Sequence, residues 1–219
     1  MDLQRRFNDG ETITFDRPTV VLASASPRRA RHMDAAGIKY VKIISPVDDT
    51  IINYQHKHDD LTRREARRYA RAMAMAKLEP FIGRVVNGAV VTADTSAYCD
   101  GRILEKPLTR EKCRENHEYL SGKRNTAYTS YAIYFHNGHK GKTVTYVKGY
   151  TAKCAPIPPG VIEQICNEPE ILDCAGYRIA GQIANYMKFR GSHAHNNTKG
   201  LDTRVVQKLL KRVGFTKCH

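Results

Sequence analysis

The sequence lacks any apolar run of the ~18 residues that a membrane-spanning helix needs, and no apolar signal-peptide segment lies near its start. Internal repeats and low-complexity tracts are also absent. Its 6 cysteines form no CxxC motif and no metal-type pairing. We therefore expect a soluble globular protein with reduced thiols, located in the cytoplasm or, as the open alternative, in an organelle.

Acidic residues are scarce relative to basic ones. The chain has 22 Asp and Glu against 36 Lys and Arg, which gives a formal net charge of +14. Such an excess attracts polyanions and is larger than a small anionic substrate requires, so RNA is a candidate partner. A generally basic source proteome, or a solubility effect, is the alternative interpretation.

A chain of 219 residues is long enough to form one sizeable hydrophobic core. We predict a polar N-terminal extension over residues 1–17 and one α/β domain over residues 18–219. The domain opens on residues 19–29 (TVVLASASPRR), where an apolar, β-branched run predicts a buried parallel strand. Ser26 suits a helix N-cap and Pro27 the first helical position, so a helix should follow at once.

This strand–helix junction is a candidate phosphate cradle. Backbone N–H groups and the helix dipole favour an anion at such a turn. The hydroxyl and guanidinium groups of the junction add donors that suit phosphate: Ser24, Ser26, Arg28 and Arg29. An ordinary junction with two solvated arginines is the alternative.

Carboxylates follow two other predicted strands. Residues 88–93 (GAVVTA) read as a second buried strand, directly followed by Asp94 and Thr95. In open α/β sheets the chemistry gathers at the carboxyl ends of strands, although a lone Asp there is often a turn or cap residue. Asp48 and Asp49 follow the strand predicted at residues 40–44 and suit a hard divalent cation, with a solvated acidic turn as the alternative.

A long helix is predicted over residues 59–77, and it ends at Lys77. Five arginines repeat at helical spacing along it: Arg63, Arg64, Arg67, Arg68 and Arg71. Such a stripe suits a nucleic-acid backbone, and a solvated face is the alternative. Lys77 by itself would usually be a partner of the helix dipole.

Taken together, the motifs LASASPRR, VDD, AMAMAK, VVTADT, DGRILEKP and LSGK resemble those of the Maf family of nucleoside-triphosphate pyrophosphatases. The resemblance runs over residues 20–215. It implies a Maf/inosine-triphosphatase-like α/β fold, with a mixed curved sheet, flanking helices and a central cleft between two lobes, commonly in a homodimer. It also implies hydrolysis of a pyrimidine or modified nucleoside triphosphate to the monophosphate and pyrophosphate, with Mg²⁺ or Mn²⁺ as cofactor.

Position by position, the resemblance implies three sets of site residues. The residues that would bind the substrate are Ser24, Ser26, Arg28, Arg29 and Thr95. The residues that would carry out catalysis are Asp94, Lys77 and Lys106. The residues that would bind the metal are Asp49 and Asp94, and Asp49 stands where the family usually has glutamate. Thr95 belongs to an ADT motif that resembles the dTTP/UTP branch.

The departures from the family pattern lie near the nucleobase end of the cleft. Ala180 stands where the family has a glutamine, so Gln182 would have to take over that side chain's base contact. Asn125 replaces a histidine of the family pattern, and Asp202 replaces a proline. The triphosphate end is nearly intact. Two hypotheses follow: an active enzyme with relaxed base selection, or a catalytically weakened scaffold bound to RNA or to a ribonucleoprotein such as a ribosome.

Overall fold

The structure is a computed structural model that describes residues 5–8, 10–47, 59–168, 171–172, 174, 181–190 and 200–215. Within these residues, eight strands form one mixed sheet and five α-helices flank it, which confirms the predicted α/β class. The strands are β1 (Arg5–Arg6), β2 (Ile13–Leu22), β3 (Val41–Ile44), β4 (Val85–Cys99), β5 (Arg102–Leu104), β6 (Arg124–His136), β7 (Gly141–Cys154) and β8 (Met187–Phe189). The helices are α1 (Pro27–Ala35), α2 (Arg63–Leu78), α3 (Arg110–Leu120), α4 (Pro159–Cys166) and α5 (Thr203–Val213).

The sheet has a parallel half and an antiparallel half. Its order is β1-β3-β2-β4-β6-β7-β8, and β5 pairs with β4 at one end. The neighbours among β1, β3, β2 and β4 run parallel, as predicted for the strand before the phosphate cradle. From β4 onward every pairing is antiparallel, and β4 and β6 stay in register from Gly88↔His136 to Cys99↔Asn125.

The two faces of the sheet are covered differently. Alternate residues of β4 point to opposite faces. On one face, α2 covers the whole length of β4, packing on Val90 near its own C-terminal end and on Tyr98 near its start. On the other face, α1 and α5 pack around Ala93 and its neighbours, whereas α3 and α4 pack around Ala97. Thr95 therefore lies between the parts of β4 on which these two pairs of described helices pack.

Local capping decides where two of the helices begin. Pro27 is the first residue of α1, as predicted, and Ser26 occupies the N-cap position, but its side chain makes no capping hydrogen bond. The predicted start of α2 at residue 59 is wrong. Thr62 is the N-cap and forms a capping box, in which its hydroxyl accepts the N–H of Glu65 and the Glu65 carboxylate accepts the Thr62 N–H.

Residues before position 18 also join the sheet. β1 pairs with β3, Phe7 is buried against Phe81, and β2 already begins at Ile13, so the boundary we predicted falls inside a strand. Near the other end, a 3₁₀ helix, Gln182–Tyr186, leads into the short β8. None of the described helices is both long and apolar enough to cross a membrane.

Candidate active site

The site is built around a break in the pairing of β4. On the edge that faces β2, the pairing of β4 with β2 ends at Val91, and the Val91 carbonyl also accepts the N–H of Ala23. Further along the same edge, β4 pairs again at Ala97, this time with β5. Among the described strands, none pairs with residues 92–96 on this edge, and we call this segment the notch. The predicted end of the strand at Ala93 is wrong, because β6 pairs with β4 through Cys99. Asp94 and Thr95 therefore lie within a strand, at the notch.

Lys77 and Asp94 form a buried ion pair at the notch. The Lys77 Nζ donates to Asp94 Oδ1 at 2.6 Å, and the two side chains are only 10% and 12% exposed. The last turn of α2 is held in place by two hydroxyl groups: Thr92 donates to the carbonyl of Ala74, and Ser45 donates to the carbonyl of Lys77. The carboxylate of Asp94 is thus fixed, with its cationic partner, on the face that α2 covers.

The phosphate-binding candidates gather on the other face. The Ser24 hydroxyl accepts the Ser26 N–H at 3.3 Å and an N–H of Arg29 at 3.1 Å, which leaves its own proton to donate. Arg29 also donates through Nε to the carbonyl of Gly200 at 3.2 Å. A Cβ on Gly200 would lie 3.9 Å from both Arg29 Nε and the Thr95 hydroxyl. Ser24, Arg29 and Thr95 therefore border one space.

Arg28 points elsewhere than Arg29. Its guanidinium donates to the Sγ of Cys174 at 3.2 Å, so it ties the start of α1 to the segment after α4. Both arginines are half-buried. The structure therefore places Arg28 and Arg29 on either side of the same helix start.

A polar row crosses three strands between the parts of the sheet that the two helix pairs cover. Thr95 pairs with Thr129, which pairs with Lys148, and the two threonine hydroxyls are 3.4 Å apart. Lys148 Nζ lies 3.4 Å from Asp202, and the N–H of Asp202 donates to the hydroxyl of Tyr131. Sequence reasoning missed Thr129 and Lys148, because only the strand register reveals that they share a face with Thr95.

Asp202, one of the departures from the family pattern, has a structural role. Its carboxylate accepts the N–H of Arg204 and caps α5, and it is nearly buried beside Lys148. Asn125 is also buried, and donates to the sulfur of Met187 at 3.8 Å. Gln182 is exposed at the start of its 3₁₀ helix. Ala180 lies outside the described residues.

Lys106 follows the end of β5, and the direction of that strand leads toward the notch. β5 runs antiparallel to β4 and ends with Leu104 paired to Ala97, so the chain direction carries Glu105 and Lys106 on toward Ser96 and Thr95. The Glu105 carbonyl accepts an N–H of the Asn116 side chain at 3.0 Å, which anchors this segment to α3. The side chain of Lys106 is exposed.

A hard cation such as Mg²⁺ or Mn²⁺ requires oxygen ligands. In the described part of the chain, Asp94 offers its second carboxylate oxygen, and the buried hydroxyl of Ser96, two residues on, has no hydrogen-bond partner. Both groups fit a hard cation or its bound water. Asp49, the other predicted ligand, lies outside the described residues.

The arginine stripe lies on the outer face of α2, and all five of its members are exposed. Of the ion pairs between described residues, none involves them, although Arg67 donates to the carbonyl of Val147 at 3.1 Å. An open pocket of about 280 Å³ continues this surface. Its lining comprises Arg63, Tyr98, Asp100, Lys123, Arg124 and Thr126. None of the notch residues, 92–96, lines this pocket, so the pocket is distinct from the notch.

Comparison with known proteins extends over nearly the whole chain. A profile of the family described as Maf-like protein matches residues 19–213. A dTTP/UTP pyrophosphatase of Syntrophus aciditrophicus is 30% identical over 197 residues, which cover 89% of this chain and 90% of that protein. A dTTP/UTP pyrophosphatase of Bacillus anthracis is 30% identical over 164 residues, covering 74% of this chain and 79% of that protein.

Proposed function

Because the chain belongs to the Maf-like protein family, we propose that it hydrolyses a pyrimidine nucleoside triphosphate, dTTP or UTP, to the monophosphate and pyrophosphate. The observation that carries this proposal is the notch in β4, with the buried Lys77–Asp94 pair on one face and the Ser24–Arg29 cradle on the other. Cleavage of a phosphoric anhydride needs cations to neutralise the phosphates and a carboxylate to orient water, and both lie here.

In the proposed complex the triphosphate lies at the start of α1. Ser24 donates its hydroxyl proton to a phosphate oxygen, and the guanidinium groups of Arg28 and Arg29 supply charge and paired donors. The Ser26 side chain does not cap the first turn of α1, so the positive end of the helix dipole faces the ligand. Thr95 borders the same space and contacts the substrate beside Gly200.

Asp94 orients the attacking water in this proposal. Its Oδ1 is held by Lys77 Nζ, so its other oxygen accepts the proton of a water that attacks the α-phosphorus. Lys77 keeps the carboxylate of Asp94 in place and neutralises negative charge of the substrate phosphates. Lys106, which follows the end of β5, neutralises the departing pyrophosphate. When bound by Asp94 and Asp49, Mg²⁺ or Mn²⁺ supplies further charge neutralisation to the triphosphate.

The test is pyrophosphate release from a panel of nucleoside triphosphates with Mg²⁺ or Mn²⁺. We expect turnover of dTTP and UTP, and a loss of about 10²–10⁴-fold in Asp94→Asn, which removes the base. Asp34→Asn, an exposed aspartate on α1, is the matched control and should retain the full rate. Turnover by a folded Asp94→Asn at the wild-type rate would contradict the role of Asp94.

The exposed arginines favour a second candidate function, contact with RNA, which is compatible with catalysis. Five arginines on one helix face make no ion pair with described residues, and the basic side chains of Lys123 and Arg124 continue the surface at its start. A phosphate backbone is the partner that such a row of guanidinium groups suits. This surface is separate from the notch, so a ribonucleoprotein could bind to it while the notch stays accessible to substrate.

Charge reversal of Arg64, Arg67 and Arg71 tests the RNA contact. We expect weaker RNA binding with a smaller dependence on salt, and an unchanged rate of pyrophosphate release. Reversing three exposed charges on α5 is the control: Lys208, Lys211 and Arg212. Equal loss of RNA binding in both triple variants would show that only net charge matters and would remove the assignment to α2.

A further inference from the structure

Three buried side chains that could bind a metal meet away from the notch, where α3 packs on α4. Cys113 and His117 are one helical turn apart on α3, and Cys166 is the last residue of α4. One potential ligand atom from each residue lies within 4.8 Å of the other two. Cys113 and His117 are fully buried, and Cys166 is 4% exposed. The helices α3 and α4 are far apart in the sequence, so the only local signal of this cluster is the i, i+4 spacing of Cys113 and His117.

The hydrogen bonding of the histidine ring decides which of its nitrogens can bind a metal. Its Nδ1 lies 2.7 Å from the backbone carbonyl of Cys113, and a carbonyl can only accept, so Nδ1 carries the proton. The lone pair is therefore on Nε2, which is buried and has no hydrogen-bond partner among the described residues. A buried acceptor without a hydrogen-bond partner is energetically unfavourable, so its presence calls for an explanation. Metal-binding histidines commonly donate their other ring N–H to a carbonyl in this way.

Charge and ligand type narrow the metal to one class. Two thiolates, one neutral imidazole and a divalent cation form a complex of zero net charge, whereas a monovalent cation would leave one negative charge buried. Sulfur and imidazole ligands suit Zn²⁺ rather than Mg²⁺, Ca²⁺ or Mn²⁺.

We propose that Cys113, His117 and Cys166 bind one Zn²⁺ ion that joins α3 to α4. Three protein ligands leave one position of a tetrahedral ion for water or a further donor. The site lies where α3 packs on α4, distinct from the carboxylate site at the notch, and it does not depend on the proposed hydrolase activity. Because Asn116 adjoins His117 and holds the carbonyl of Glu105, the ion would also steady the segment that carries Lys106.

Metal analysis of the purified full-length chain tests the proposal. We expect stoichiometric zinc in the wild type and only background zinc in Cys113→Ala and Cys166→Ala. Cys99→Ala is the matched control, because Cys99 is a fully buried thiol of the same core cluster that lies outside the group of three, and it should keep its zinc. Zinc retained by Cys113→Ala would overturn the proposal.

Cobalt substitution provides a second measurement that needs no variant to fold. Wild-type protein refolded with Co²⁺ should show a thiolate-to-cobalt charge-transfer band in the near ultraviolet, together with the visible bands of a tetrahedral ion. Folded wild type that neither retains zinc nor develops these bands would overturn the proposal. A Cys113–Cys166 disulfide found by peptide mapping of the freshly purified protein would overturn it as well.

Discussion

Replacing Lys77 by methionine tests how the notch is held together. The substitution keeps the length of the side chain but leaves the carboxylate of Asp94, 12% exposed, without the cation that lies 2.6 Å away. Removing one partner of a buried ion pair destabilises a protein by about 3–5 kcal/mol, because the remaining charge stays desolvated. We expect Lys77→Met to lower the free energy of unfolding by this amount, a large part of the stability of a typical domain.

The double variant Lys77→Met/Asp94→Asn separates the unpaired charge from lost packing. Asparagine at position 94 carries no charge, so the cost should fall to about 1–3 kcal/mol, that of an unsatisfied polar group. An exposed pair provides the control. Lys112 and Glu115 lie at 2.7 Å, the same range of distance, but their side chains are 51% and 62% exposed. Lys112→Met should therefore change the stability by about 0.5 kcal/mol or less.

Urea unfolding followed by circular dichroism measures these differences. Lys77→Met should unfold at a much lower urea concentration than Lys112→Met, and adding Asp94→Asn should recover part of the lost stability. Equal losses of stability in Lys77→Met and Lys112→Met, or effects at positions 77 and 94 that simply add, would show that Lys77 and Asp94 are not energetically coupled.

Two further predictions concern parts of the fold outside the notch. Thr62→Ala removes the hydroxyl that accepts the N–H of Glu65, so we expect a loss of about 1 kcal/mol in urea unfolding, and Thr62→Ser should restore it. Burial raises the pKa of the Cys99 and Cys154 thiols from 9.0 to about 11, so their contribution to stability is complete below pH 9 and falls as the pH rises toward 11. Urea midpoints measured across this range should decline, and Cys99→Ala should decline less steeply; an identical pH dependence would exclude Cys99 as a source.

Features set by neighbouring residues could be predicted from the sequence. Pro27 begins α1, the hairpin turns at Asp100–Gly101, and Gly214 ends α5 in the left-handed conformation with φ of 88°. Each of these depends on the local conformational preference of a proline or a glycine, so no knowledge of the rest of the fold was needed.

Features set by distant pairing could not be predicted in the same way. β4 continues through Asp94 to Cys99 because β6 pairs with it along that whole length, and local patterning gave no sign of this partner. The row from Thr95 to Lys148 depends on the same register. The meeting of Cys113 with Cys166 depends on how α3 packs against α4, which sequence spacing does not determine.

Product analysis in water labelled with a heavy oxygen isotope tests the central claim most directly. The wild-type chain, given dTTP or UTP and Mg²⁺ or Mn²⁺, should release pyrophosphate and place the label in the monophosphate, because water attacks the α-phosphorus. Release of orthophosphate, label in the pyrophosphate, or no turnover of any nucleotide by the folded protein would contradict the account.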